Sequence, residues 1–426
     1  MSKDFTFNVD KIREQFPACK LEIEGEPIAY LDGPGGTQVP QRVLDRIVKY
    51  MVEQNANEGG NFLASTFCDI VEDGAREAAA DLLGCEPGEI GFNCSSTQNN
   101  SNIAHALARR FEPGAKIITS EMEHRCNLAP WLHMGKDGFN VEIVKLNTET
   151  QQMDLDDFKA KLTPDTKLVS LNWASNGLGT VTDVKKLIAM AHEVGALTVV
   201  DAVHYAAHFP IDVKDIGTDI LVCSAYKWFG PHVGVVYMRK DLIEELDFYN
   251  VMCDDIATGP RRFHMGTPQY ELLAGVIEAV NFIASVGEEY AECFEDKLKG
   301  LTGRRRNVVA GMEAFDIYES ALAKKLRFGL REIPGVTVYG PAEGEARTPT
   351  VVFRMDGYRT EEVTRELGNR GINSWHGDYY AVEIMNAMGF GGEEGGGFVR
   401  LGLAPYCTER DIDRALETVR NLAARL

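Results

Sequence analysis

Between about residues 75 and 290, short apolar runs alternate with longer stretches in which apolar positions recur every three to four residues. The short runs are EIGFN (89–93), KIITS (116–120), VEIVKL (141–146), KLVSLNW (167–173), LTVVDA (197–202) and DILVCSA (219–225). Apolar runs of this length between helical periodicities predict buried strands, and the alternation predicts an α/β fold on a mainly parallel sheet. Ligands bind beyond the carboxyl ends of strands in such sheets, so the residues that follow these runs are where chemistry is expected. A long helical stretch over about 270–313 begins with ELLAGVIEAVNFIASVGEEY. Beyond it, VTVYG (336–340), TVVFRM (350–355), a helix, VRLGLA (399–404) and a final helix predict a smaller α+β domain. The expected division is an N-terminal segment 1–28 packing with the small domain, a large domain 29–295 and a small domain 296–426. GFGGEEGGG (389–397) is expected to be a mobile loop.

Composition narrows the class of partner. The chain has 426 residues, 44% hydrophobic and 25% charged, with a formal charge of -20 and no basic block. Nucleic acid and anionic membrane are therefore poor partners. The N-terminus MSKDFTFNVDKIREQF lacks an apolar signal segment, and no later run is expected to approach the roughly 18 apolar residues of a membrane span. A cytoplasmic protein is expected. Nine scattered cysteines without a Cys-x-x-Cys pair suit neither a disulfide framework nor a metal site, and no metal is expected.

The segment SAYKWFGPHVGVVYM (224–238) places Lys227 three residues beyond a strand end at Ser224, before a Gly-Pro turn. A lysine after a strand is ordinarily a solvated surface residue, so its meaning depends on its neighbours. LTVVDAVHYAAH (197–208) delivers Asp201 directly after buried apolar residues, where an ionised carboxylate needs a cation. A protonated pyridine nitrogen would be such a cation and would make the ring an electron sink; a helix N-cap is the plain alternative. In CSSTQNNSNIAHALARRF (94–111) hydroxyls open a helix whose free N–H groups make a phosphate cup, with Ser96 and Thr97 as contacts or caps. SEMEHRCNLAPW (120–131) puts His124 and Arg125 at a strand end, and WASNGLGT (173–180) puts Asn176 in a turn. Neither G-x-G-x-x-G after an early strand nor G-x-x-x-x-G-K-[ST] is present, which removes the dinucleotide and nucleoside-triphosphate classes.

In order and spacing, these segments resemble the class V aminotransferase family of fold-type I pyridoxal-phosphate enzymes, and its cysteine desulfurase and selenocysteine lyase branch. The likeness runs from YLDGPGGTQVP (30–40) to VRLGLAPYCTERDID (399–413). It implies a large domain with a seven-stranded, mainly parallel sheet sandwiched by helices, and a homodimer with shared active sites. It implies that Lys227 carries pyridoxal 5'-phosphate as a Schiff base and shuttles a proton, that Asp201 pairs with the pyridine nitrogen, and that His124 stacks on the ring. Asn176 and His204 would lie near the phenolic oxygen, His204 standing where desulfurases have Gln. Ser96, Thr97 and Ser224 would hold the phosphate, with Tyr226 where the family has His, and Thr267 would reach the neighbouring subunit's phosphate. Arg400 would clamp the carboxylate of a small amino acid; Asn127 and His376 are further candidate substrate contacts. The stretch GINSWHGDYYAVEIM (371–385) holds no cysteine where desulfurases carry their persulfide thiol, Gly377 or Asp378 standing about there. The reading is therefore β-elimination, of C–S or another bond, without a persulfide cysteine, with His376 and Asp378 as candidate acids for the leaving group. The alternatives are an epimerase or aminotransferase of the same family, and a cofactor-binding regulator or partner subunit without turnover.

Overall fold

The computed structural model describes residues 5–250 and 258–425. Seven strands form the central sheet: β1 (Ile90–Asn93), β2 (Lys116–Ser120), β3 (Asn140–Val144), β4 (Thr166–Asn172), β5 (Leu197–Asp201), β6 (Ile220–Ser224) and β7 (Gly234–Met238). They lie in the order β1-β7-β6-β5-β4-β2-β3, parallel except for the two pairings made by β7. All residues of β2, β6 and β7 are buried, which is why they read as unbroken apolar runs. The run at 141–146 ends its sheet pairing at Val144, and Leu146–Asn147 forms a separate two-residue hairpin strand with Gln152–Met153.

Helices α1 (Gln41–Glu53), α2 (Leu63–Leu83), α3 (Ser96–Arg110), α4 (Arg125–Lys136) and α5 (Val184–Glu193) surround this sheet and its edges. The helical stretch expected over 270–313 is two helices, α6 (Tyr270–Tyr290) and α7 (Gly303–Arg331). Between them a 3-10 turn at Ala291–Cys293 and Gly300 at φ +82° reverse the chain, and the two helices pack on each other. By length and composition the stretch Tyr270–Cys293 could cross a membrane, which corrects the expectation that no run approaches a span. Most of it is buried in the core, against α1, α2 and α7.

The second sheet has four antiparallel strands, β8 (Val336–Tyr339), β9 (Thr350–Met355), β10 (Trp375–Gly377) and β11 (Phe398–Gly402), in the order β8-β9-β11-β10. Helix α8 (Thr360–Asn369) packs on β10 and β11, and α9 (Glu409–Ala423) on α7 and α8. The glycine-rich stretch is built into this layer rather than hanging free. Gly392–Gly395 forms a turn of helix, the Gly395 carbonyl accepts from Arg354 Nη1 at 2.7 Å, and the Gly396 carbonyl accepts from Thr360 Oγ1 at 2.6 Å. At the N-terminus Phe7 stacks on Tyr318 of α7, ring centroids 4.4 Å apart, and Arg13 donates to the Tyr406 carbonyl. Ala29–Tyr30 pairs in parallel with Ile372–Asn373, so the chain crosses the second sheet's layer before it enters the first.

Candidate active site

The strand ends of β4, β5 and β6, the start of α3 and the loop before α4 converge on one cavity of about 630 Å³, closed on its far side by β10, β11 and the segment that follows β10. Ten of the residues singled out in the sequence line it: Ser96, Thr97, His124, Arg125, Asn176, Asp201, His204, Tyr226, Lys227 and Arg400. They come from six stretches spread over more than 300 positions, and only the sheet order brings them together.

Lys227 closes the one-turn 3-10 helix Ala225–Lys227 that follows β6. Its Nζ donates to the carbonyl of Pro34 and lies 4.7 Å from the centre of the Tyr226 ring. Burial, helped by the charge of Arg400, pushes the ammonium down to about 7. Asp201, the last residue of β5, is 4% exposed. One of its oxygens accepts from Val203 N at 2.8 Å, while the other has only the Cys126 thiol, at 4.0 Å. Burial pushes this carboxyl up to about 6. A buried carboxylate oxygen on a cavity wall without a cation is costly by several kcal/mol, and a protonated ring nitrogen in the cavity relieves that cost.

His124 caps α4, its Nδ1 accepting from Cys126 N at 3.1 Å, which fixes the ring plane. Burial, with Lys227 and Arg400 adding repulsion, holds it down to about 4, so the ring that lines the cavity is neutral. Ser96 and Thr97 are the first residues of α3, and the cap itself is Ser95, whose Oγ accepts from Gln98 N. The β7 backbone passes so close beneath this turn that a Cβ at Gly234 would collide with Ser95 and Ser96. Ser224 Oγ is buried without a partner. The free N–H groups of the helix start and this orphan hydroxyl suit a phosphate. His204 Nε2 meets Thr350 Oγ1 at 2.9 Å and Thr348 Oγ1 at 3.1 Å, and burial holds it well below its ordinary value. Four residues on, His208 Nδ1 lies 2.8 Å from buried Glu319 of α7. Arg400 Nη1 donates to the Asn176 carbonyl at 2.9 Å, its Nε has no partner, and its guanidinium lies 4.0 Å from the centre of the Tyr379 ring.

Five expected site residues do not line the cavity: Ser224, buried at the end of β6, and Asn127, Thr267, His376 and Asp378. Asn127 is fully buried beneath the cavity, donating to Glu123 at 2.7 Å and accepting from Ser170, so it is a packing residue and not a substrate contact. His376 turns to Thr364 Oγ1 at 3.0 Å and does not line the cavity, and Asp378 accepts from Tyr380 N. β10 alternates its side chains, and its cavity-facing position is Trp375. Thr267 is exposed and stands outside its own chain's cavity. The sequence reading missed Trp375, Tyr379, Tyr380 and the Pro34–Gly35 turn, all of which line it. The motifs YLDGPGGTQVP and GINSWHGDYYAVEIM contain these residues, but the reading of the second turned on its missing cysteine and passed over its aromatics.

Fold and site together define a pyridoxal-phosphate enzyme: a buried lysine of lowered basicity, an unpaired carboxylate, a flat neutral imidazole and a helix-start phosphate cup on one cavity. The aminotransferase class-V family model matches residues 29–305 and 307–415, and the chain belongs to that family. It is 27% identical to a cysteine desulfurase of Pectobacterium carotovorum over 98% of both chains. It is 29% identical to an aminotransferase-like protein of Gibberella zeae, over 97% of this chain and 99% of that one. Among solved structures, the apo cysteine desulfurase of Thermococcus onnurineus superposes with a TM-score of 0.85 at 23% identity, each chain fully covered. Class-V aminotransferases and cysteine desulfurases use pyridoxal phosphate, and this chain is an enzyme of that kind.

Proposed function

We propose that the protein is a lyase that removes the α-proton of an amino acid and expels a substituent from its β-carbon, working without a persulfide cysteine. The observation that carries this reading is the convergence of Lys227, Asp201 and Arg400 on one cavity with the carboxylate and part of the guanidinium left unpaired. When bound, pyridoxal phosphate supplies an electron sink for the pair left on the α-carbon. Ser96, Thr97 and Ser224 would hold its phosphate, His124 its ring face, Asp201 a proton on its nitrogen, and Asn176 and His204 its phenolic side. Arg400 would hold the substrate carboxylate through its planar fork, and the Lys227 Nζ amine would take the α-proton. Two facts support the absence of thiol chemistry. No cysteine occurs in 371–385, and burial next to Asp201 holds Cys126, the cysteine on the cavity wall, well above the ordinary thiol range.

A homodimer belongs to the same reading. Leu44, Val48, Met51 and Val52 form an exposed apolar stripe on α1, with Phe62, Leu63 and Ile70 exposed at the start of α2, and a second copy would cover them. Exposed Thr267 is then free to reach the partner's phosphate cup.

Lys227→Ala is the direct test. Wild type loaded with pyridoxal phosphate should show a near-visible absorbance band that shifts with a substrate amino acid, and the variant should lack it. Pyruvate release identifies elimination, whereas exchange of the α-hydrogen with solvent and no pyruvate identifies the epimerase or aminotransferase alternative. A wild-type band that no amino acid perturbs identifies the non-catalytic one.

A further inference from the structure

In the antiparallel ladder of β10 and β11, Trp375 stands directly opposite Arg400. Cross-strand partners on one face hold their Cβ atoms roughly 5 Å apart, so the two side chains leave the same face of the ladder and both line the cavity. Trp375 also meets the turn that receives the reacting amine. A Cβ at Gly35 would collide with the indole, and the neighbouring Pro34 carbonyl is the acceptor of Lys227 Nζ. Trp375 therefore shares one cavity wall with Arg400 and with the turn that accepts from Lys227.

The segment that follows completes the wall. Tyr379 and Tyr380 take φ of +45° and +64°, two successive non-glycine residues in the left-handed region that L side chains rarely adopt. The strain is held in place by named contacts: Tyr379 Oη donates to the Phe398 carbonyl at 2.6 Å, Asn176 Nδ2 donates to the Tyr379 carbonyl at 2.9 Å, and Arg125 N donates to the Tyr380 carbonyl at 2.7 Å. The outcome is that Tyr380 stands 67% exposed at the cavity rim with its ring 5.5 Å from that of His124, while Trp375 is 48% exposed. Two large aromatic surfaces left in water at a cavity mouth, one of them under backbone strain, are the mark of a ligand site rather than of packing.

We propose that the substrates are S-substituted cysteines whose sulfur carries a broad apolar group, and that Trp375 with Tyr380 selects that group. This deepens the lyase reading and rests on it. Desulfuration of cysteine to alanine hands the sulfur to an acceptor thiol, whereas β-elimination needs no acceptor: the sulfur departs carrying its own substituent, and a broad apolar substituent gives the aromatic wall something to hold. Lys227 Nζ takes the α-proton, the bond between the β-carbon and sulfur breaks, and its electron pair leaves on sulfur, which takes up one proton to become a thiol. The remaining three-carbon enamine takes up water and yields pyruvate and ammonium, with no net oxidation or reduction.

The test compares the holoenzyme with S-benzyl-L-cysteine, S-methyl-L-cysteine and L-cysteine, reading pyruvate and free thiol or sulfide. The expected result is a kcat/KM for the benzyl compound at least about tenfold above the other two, a ranking that Trp375→Ala collapses and Trp375→Phe keeps. The near-visible band in both variants reports that they still fold and hold the cofactor. Equal or faster turnover of L-cysteine, or an equal loss on all three compounds in Trp375→Ala, overturns the proposal while leaving the lyase standing. Absence of the band in wild type overturns the cofactor reading and this inference with it.

Discussion

Lys227 sits 9% exposed with a backbone carbonyl as its acceptor, and the repulsion of Arg400 adds to burial, against the weaker pull of Cys126 and Asp201. The ammonium is favoured below about pH 7 and the neutral amine, the form that can add to an aldehyde, above it. Capture of pyridoxal phosphate by the cofactor-free protein should accelerate roughly tenfold per pH unit below about 7 and level off above about 8. Growth of the near-visible band followed from about pH 5.5 to about pH 9 measures this, and a flat profile would show that the amine does not titrate in that range. His124 keeps its role across the same interval, because it charges only as pH falls toward about 4.

At the scale of elements, α6 and α7 cross with their backbones in contact at Gly287 and Gly311. A Cβ at Gly287 would collide with the Asn307 carbonyl and Gly311 N, and one at Gly311 with the Ile283 carbonyl. Gly287→Ala should therefore lower stability by about 1–3 kcal/mol, read as a lower urea midpoint, whereas Gly88→Ala, with open space around it, should change little. Burial on both faces makes a strand an unbroken apolar word, so the runs of β1, β2, β4, β5 and β6 were legible in the sequence to within a residue or two. β10 was not: it has three residues, two of them exposed, and it exists through its pairing with β11. The same gap explains the site. Lys227, Asp201 and His124 lie at strand or helix ends and Arg400 in the middle of β11, all within recognisable motifs, whereas Trp375 owes its place to a register set by residues some 25 positions away. The assignment of His376 failed for a related reason, since neighbours on a strand face opposite sides. Asn127 failed because a helix start places some side chains toward the cavity and others, such as this one, into the packing beneath it.

For the molecule as a whole, a formal charge of -20 opposes self-association, so the apolar stripe on α1 stands out. Val48→Asp combined with Val52→Asp places two like charges at the centre of that stripe and should convert a dimer into monomers in sedimentation. If Thr267 serves the partner's site, activity and cofactor retention should fall with it. A wild type that already sediments as a monomer would remove the shared site. The loop that leaves β5 binds the molecule in a second way. Within eight residues it carries Asp201, on the cavity wall, and His204 and His208, whose rings meet Thr348, Thr350 of β9 and Glu319 of α7. A substitution at position 348, 350 or 319 therefore removes the partner of a buried imidazole on the stretch of chain that carries Asp201, and a change there has to supply that ring with a new one.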